Sequence, residues 1–155
     1  MTDTDCLKLA ALDEEDLAIL SAHVQDSVLK VADMAYLPKE GRFVLVMNRF
    51  AWEQADGEIG SYERRQTALT FDRVRTAKTN GIQRDQGETI LNLLALAFDP
   101  ADPPAGAIEL TFAGGAAVRL DVECIEARLT DLGATWKTAT KPSHDLETEE
   151  VGPAG

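Results

Sequence analysis

Six arginines in the middle of the chain, Arg42, Arg49, Arg64, Arg65, Arg73 and Arg75, come closest of all its residues to defining a chemistry. A guanidinium presents a planar fork of donors that matches a carboxylate or a phosphate. The set therefore reads as a candidate site for an anion or an acidic partner. Its surroundings sharpen the point. The chain has 27 Asp and Glu against 15 Lys and Arg, a net charge of −12. Residues 1–40 hold three basic against nine acidic side chains, residues 41–84 eight against five, and residues 85–155 four against thirteen, so the local balances are −6, +3 and −9. An even charge of this size would repel nucleic acid and anionic lipid. The basic middle keeps RNA or a phosphorylated metabolite as an alternative ligand, with a protein as the first. The same arginines could instead pair with the excess carboxylates inside the molecule, as charges on mixed surfaces commonly do.

Other reactive residues are sparse. His23 lies beside an apolar helical stripe and His144 near the end of the chain, and neither HExxH nor CxxC occurs, so no metal site is expected. A nucleophilic triad needs a base beside an activated Ser or Cys; with a single histidine in the foldable part, no catalytic residues are assigned and the chain reads as no enzyme. The acidic residues gather at helix starts and loops, where capping and solubility account for them. AGGAA (113–117) lacks the GxxxxGK phosphate pattern and joins two alternating strands, so its glycines serve a turn and no cofactor is expected. Cys6 and Cys124 are too isolated for a disulfide framework and read as reduced thiols. Phe43, Phe50, Trp52 and Phe71 fit a core better than a base-stacking surface.

The elements that must position these residues follow from periodicity. Leu7, Leu9 and Leu12 suggest an opening strand. Asp13 is an N-cap, Glu14, Glu15 and Asp16 suit the positive end of a helix, and Leu17, Leu20, Val24 and Val28 make one stripe, predicting a helix over 14–28. VADMAYL (31–37), the turn PKEG and RFVLVMNRF (42–50) predict a hairpin. QADGEIGS (54–61) reads as an exposed loop, and 66–78 as one long strand with Leu69, Phe71, Arg73 and Arg75 on a shared face. TILNLLALAF (89–98) is a central strand, and the prolines of DPADPPAG (99–106) end it. A hairpin around AGG follows, and then Val122, Ile125, Leu129 and Leu132 at helical spacing predict a closing helix stopped by Gly133, with Trp136 folded back on it. Residues 137–155 read as an acidic disordered tail to a single domain over 1–136.

The segments LAILSAHVQDSVLKVADMAYLPKEGRFVLVMNRFAWE and IELTFAGGAAVRLDVECIEARLTDLGATW carry a resemblance. Through the AYLPKE turn before NRF, and the AGG hairpin leading into VECIEARL, the chain resembles the domain of unknown function 2948 family over residues 7–136. The resemblance implies a bacterial protein and brings no activity and no site residues with it.

The expectation is an α+β fold: a strongly bent antiparallel sheet or partial barrel of about six or seven strands, with a helix in the N-terminal half and a C-terminal capping helix. That order is similar to the pleckstrin-homology superfold, a class of binding modules. The acidic N-terminus has no secretory pattern and no run reaches the roughly 18 apolar residues of a membrane span. A cytoplasmic, non-enzymatic binding module with an unknown protein or acidic partner is expected, without membrane insertion and with its oligomeric state unassigned.

Overall fold

The structure, a computed structural model, describes residues 7–50 and 63–137. Its elements are β1 (Lys8–Ala11), α1 (Glu14–Val24), β2 (Ser27–Lys30), β3 (Met34–Leu37), β4 (Arg42–Phe50), β5 (Glu63–Phe71), β6 (Val74–Asn80), β7 (Ile90–Pro100), β8 (Gly106–Phe112), β9 (Ala117–Val122) and β10 (Ala127–Lys137). Single 3-10 turns at Val31–Asp33 and Ala113–Gly115 link β2 to β3 and β8 to β9. The ten strands form one antiparallel sheet in the order β1-β10-β5-β4-β2-β7-β8-β9-β6, with β3 on β4.

Alternation builds the core. In β4 every second residue is buried, giving Phe43, Leu45, Met47 and Arg49 an inward face. In register opposite them stand Phe71, Leu69, Thr67 and Arg65 of β5, also buried. Ile108, Leu110, Phe112, Val118 and Leu120 complete the same cluster from β8 and β9. Each such side chain contributes on the order of 1.5–3 kcal/mol by leaving water. Helix α1 adds Leu17, Leu20 and Val24 to this core. Asp13 caps it, its carboxylate accepting from the Asp16 N–H at 2.8 Å. The helix is tied to β7 by the Ser21 hydroxyl, which accepts from the Leu96 N–H at 2.9 Å beside a register shift between Leu93 and Ala95. A hydroxyl thus satisfies a backbone donor at the irregularity.

Two strands turn a corner together. β5 runs into β6 through Asp72 and Arg73, while β9 runs into β10 through residues 123–126, and β5 pairs with β10 as β6 pairs with β9. The corner returns β6 toward β3: the Val74 N–H donates to the Gly41 carbonyl at 2.9 Å, and the Tyr36 hydroxyl to the Arg75 carbonyl at 2.9 Å. No ladder joins β6 to β3, so the sheet is not closed.

Several expectations need correction. The helix stops at Val24 rather than residue 28, because Asp26 reverses the chain at φ 66° and Ser27 and Leu29 then alternate inward as β2. The single strand over 66–78 is two strands, broken where Arg73 takes φ 62°. The expected C-terminal capping helix is strand β10. Its apparent helical stripe joined Val122 at the end of β9 to Ile125 in a connection, and within β10 it is Ala127, Leu129 and Asp131 that point inward while Leu132 is exposed. Ten strands replace six or seven, and with β10 in place of a capping helix the likeness to a pleckstrin-homology fold is not supported. The loop over 54–61, Trp52, the packing of Trp136 and the tail beyond residue 137 lie outside the described residues and side chains.

A candidate binding cleft at the corner of the sheet

Arg73 occupies left-handed backbone at φ 62°. That region costs a non-glycine residue roughly 1–2 kcal/mol and persists only where its surroundings impose it. Here three connections do so. The Asp72 N–H donates to the Glu126 carbonyl at 2.8 Å, the Glu123 N–H to the Arg73 carbonyl at 2.9 Å, and the Val74 N–H to Gly41 at 2.9 Å. The turn at 38–41 and the two corner segments are thereby locked to one another. Between them lies a cleft of about 520 Å³ lined by residues 38–42 and 72–75 with Glu123 and Glu126.

Its side chains divide into paired and unpaired. Asp72, only 15% exposed, accepts from Arg42 Nε at 2.8 Å and from Arg128 Nη2 at 3.0 Å. Arg42 also reaches Glu40 at 3.5 Å, and the Asp72 hydrogen bond, followed by its charge, holds the Arg42 guanidinium above its ordinary value. Arg73 Nε meets Glu126 at 3.3 Å. Arg75 and Lys39, both exposed, have no carboxylate partner among the described residues. Arg84 is exposed and likewise unpaired among those residues, and it borders a second cleft of about 200 Å³ between β3 and β6, where Val31, Met34, Phe43 and Ala77 supply apolar walls.

Of the six arginines singled out in the sequence, Arg42, Arg73 and Arg75 therefore converge. Arg49 and Arg65 do not join them. Arg49 lies seven residues along β4 from Arg42, about 23 Å at strand rise, and it is fully buried. Its Nε and Nη2 donate to the two carboxylate oxygens of Asp131 at 3.0 and 2.9 Å. Asp131 also accepts from the Thr67 hydroxyl at 2.7 Å and the Leu7 N–H at 2.8 Å. Burial by itself would raise that carboxyl; the hydrogen bonds from Arg49, Leu7 and Thr67 outweigh it and hold Asp131 below its ordinary value. Arg65 is buried on the same face, paired in register with Arg49 across β4 and β5. Arg64 stands in register with Phe50 and Trp136, and its side chain is outside the described set.

Sequence reasoning missed Lys39, Arg84 and Asp131. Lys39 was visible only as part of a turn signal, and Arg84 only as part of a polar loop. Asp131 would have stood out had 127–137 been read as a strand, because a carboxylate then falls on an inward position. Elsewhere, His23 Nδ1 sits 3.0 Å from the Ile19 carbonyl of its own helix, and Cys124 is a half-buried free thiol. Among the described residues no group of three or more His, Cys, Asp or Glu is placed to hold a metal, and no helix is long and apolar enough to cross a membrane.

Comparison with known proteins gives one match. The sequence pattern of the family described as protein of unknown function (DUF2948) covers residues 7–144, slightly more than the span of the resemblance noted above. No curated protein and no solved structure matches the chain. With the whole described sheet inside the matched span, the chain belongs to the family of proteins of unknown function DUF2948.

Proposed function

We propose that this protein is a cytoplasmic, non-enzymatic binding module that holds an acidic segment of a partner protein along the corner cleft and on into the cleft between β3 and β6, with Lys39 and Arg75 in the first and Arg84 in the second as the contacting cations. The observation that carries the reading is the pairing pattern. In a chain with 27 acidic and 15 basic side chains, exposed cations have no shortage of internal partners. Lys30, Arg42, Arg73, Arg119 and Arg128 each meet a carboxylate. Lys39, Arg75 and Arg84 meet none among the described residues, nor do Lys8 on β1 and Lys78 on β6; of these, Lys39 and Arg75 line the corner cleft and Arg84 the cleft between β3 and β6. Arg42 and Arg73, already paired, serve to fix the walls. Paired surface cations contribute little to stability, and unpaired ones grouped at a cleft raise the local concentration of an oppositely charged ligand.

The test is affinity capture from native lysate with mass spectrometry of proteins and small molecules, comparing the natural chain with a Lys39→Ala, Arg75→Ala, Arg84→Ala variant. The reading expects a protein carrying an acidic segment that the natural chain retains and the variant loses, at unchanged melting temperature. Equal retention by both removes the cleft. A small molecule that the natural chain binds and turns over would place the protein among enzymes instead.

A further inference from the structure

We propose that the partner segment binds in extended form, as an added strand along the outer edge of β6 in the gap between β6 and β3. The proposal rests on the reading of the unpaired cations just given and names the class of partner. Among the described residues β6 ends the strand order and β3 pairs only with β4, so both present an edge to the gap. They are fastened at one end, where Val74 meets Gly41 and Tyr36 meets the Arg75 carbonyl. Beyond that point no ladder joins them, and the cleft of about 200 Å³ opens over Met34, Phe43, Ala77 and Thr79.

The Arg75 carbonyl faces β3, because it accepts from Tyr36. Past the register shift at Arg75 the phase is set from β9: the Phe112 N–H to Ala116 carbonyl bond puts Val118 and Leu120 in hydrogen-bonded pairs with β8, so Arg119 and Asp121 turn to Lys78 and Thr76, and the backbone groups of Ala77 and Thr79 face outward. A row of edge donors and acceptors is a template for an incoming strand. Charge selects the occupant. Arg75 and Arg84 bracket Ala77 and Thr79, with Lys39 at the fastened end, and none has a carboxylate partner among the described residues. A second copy would bring the same cations to the edge and a net charge of −12 against −12. An extended peptide with carboxylates at alternate positions supplies the missing ladder and the missing countercharge together.

The experiment uses the full chain and three blocked peptides of about ten residues, long enough for a strand: alternating Glu and Val, alternating Lys and Val, and the Glu peptide with alternate backbone amides N-methylated. Binding is read by fluorescence anisotropy and by amide hydrogen exchange. The Glu peptide should bind, slow exchange at Ala77 and Thr79, and lose affinity about tenfold or more in an Arg75→Ala, Arg84→Ala variant, the scale of one lost charge-assisted hydrogen bond. The Lys and N-methylated peptides should fail. Equal binding of the N-methylated peptide with unchanged exchange overturns strand addition and leaves recognition by the unpaired cations standing. No binding of the Glu peptide, protection of β6 through self-association, or displacement of the peptide by a single-stranded RNA oligonucleotide also overturns it. The lysate comparison decides the parent reading separately.

Discussion

Removing the charge of Asp131 should be strongly destabilising. Its carboxylate is the meeting point of Arg49, Thr67 and Leu7, and the Arg49 side chain is fully out of water. Truncating one partner of a buried ion pair leaves the other charge uncompensated, at a cost of about 3–5 kcal/mol. Asp131→Asn should lower the urea midpoint accordingly, and Thr67→Val, which removes one donor to the carboxylate, should cost about 1–2 kcal/mol. The sign of the pH dependence follows from the depressed carboxyl. A group held below its unfolded value stabilises the fold above that value, and the stabilisation is lost as pH falls through the folded one. The gap in stability between the natural chain and Asp131→Asn should therefore be constant near neutrality and shrink as pH falls below the ordinary carboxylate value of 3.8. Asp33, raised mainly by desolvation, works in the opposite sense, but it is exposed and its contribution is small. A gap that does not narrow in acid would show that the Asp131 carboxylate is not what Arg49 requires.

At the scale of elements, Gly106 opens β8 where there is no room for a side chain. A Cβ there would lie 2.5 Å from the Asp99 carbonyl oxygen and 2.6 Å from the Phe98 ring. Gly106→Ala should cost about 1–3 kcal/mol by overpacking, read as a drop in melting temperature. Leu129 in β10 is fully buried, in register with Leu9 and Leu69, and Leu129→Ala should cost about 2–5 kcal/mol. The sequence exposed the need for that leucine but not its element. Helical spacing across Val122, Ile125 and Leu129 arises by chance from a strand end, a corner and a second strand, and the buried Asp131 hides the alternation that would have revealed β10. Hairpins were legible where turn chemistry is local, at PKEG and at AGG, where Gly114 and Gly115 take φ 83° and 89°. The corner at Arg73 was not, because a left-handed arginine is imposed by hydrogen bonds from distant segments that no local pattern records. Half the candidate arginines were legible as a group for the same reason: strands at neighbouring sequence positions pair, but which end of a strand faces the cleft is set by the fold.

Taken as a whole molecule, the chain is an acidic body with cations that lack internal carboxylate partners along the gap between β6 and β3. Salt should weaken partner binding if that edge recruits it, since exposed charges are screened over about 8–10 Å at physiological ionic strength. The most direct test of that edge compares two charge reversals that alter the net charge equally. Arg75→Glu places the reversal at the cleft, and Lys8→Glu places it on β1, at the other end of the strand order, where Lys8 is exposed and without a carboxylate partner among the described residues. Both proteins should fold with stabilities within about 1 kcal/mol of the natural chain, as exposed charges do. In quantitative capture of the partner identified from lysate, Arg75→Glu should lose it and Lys8→Glu should retain it. Equal loss would mean that only overall charge matters, and retention by Arg75→Glu would contradict the assignment of the cleft.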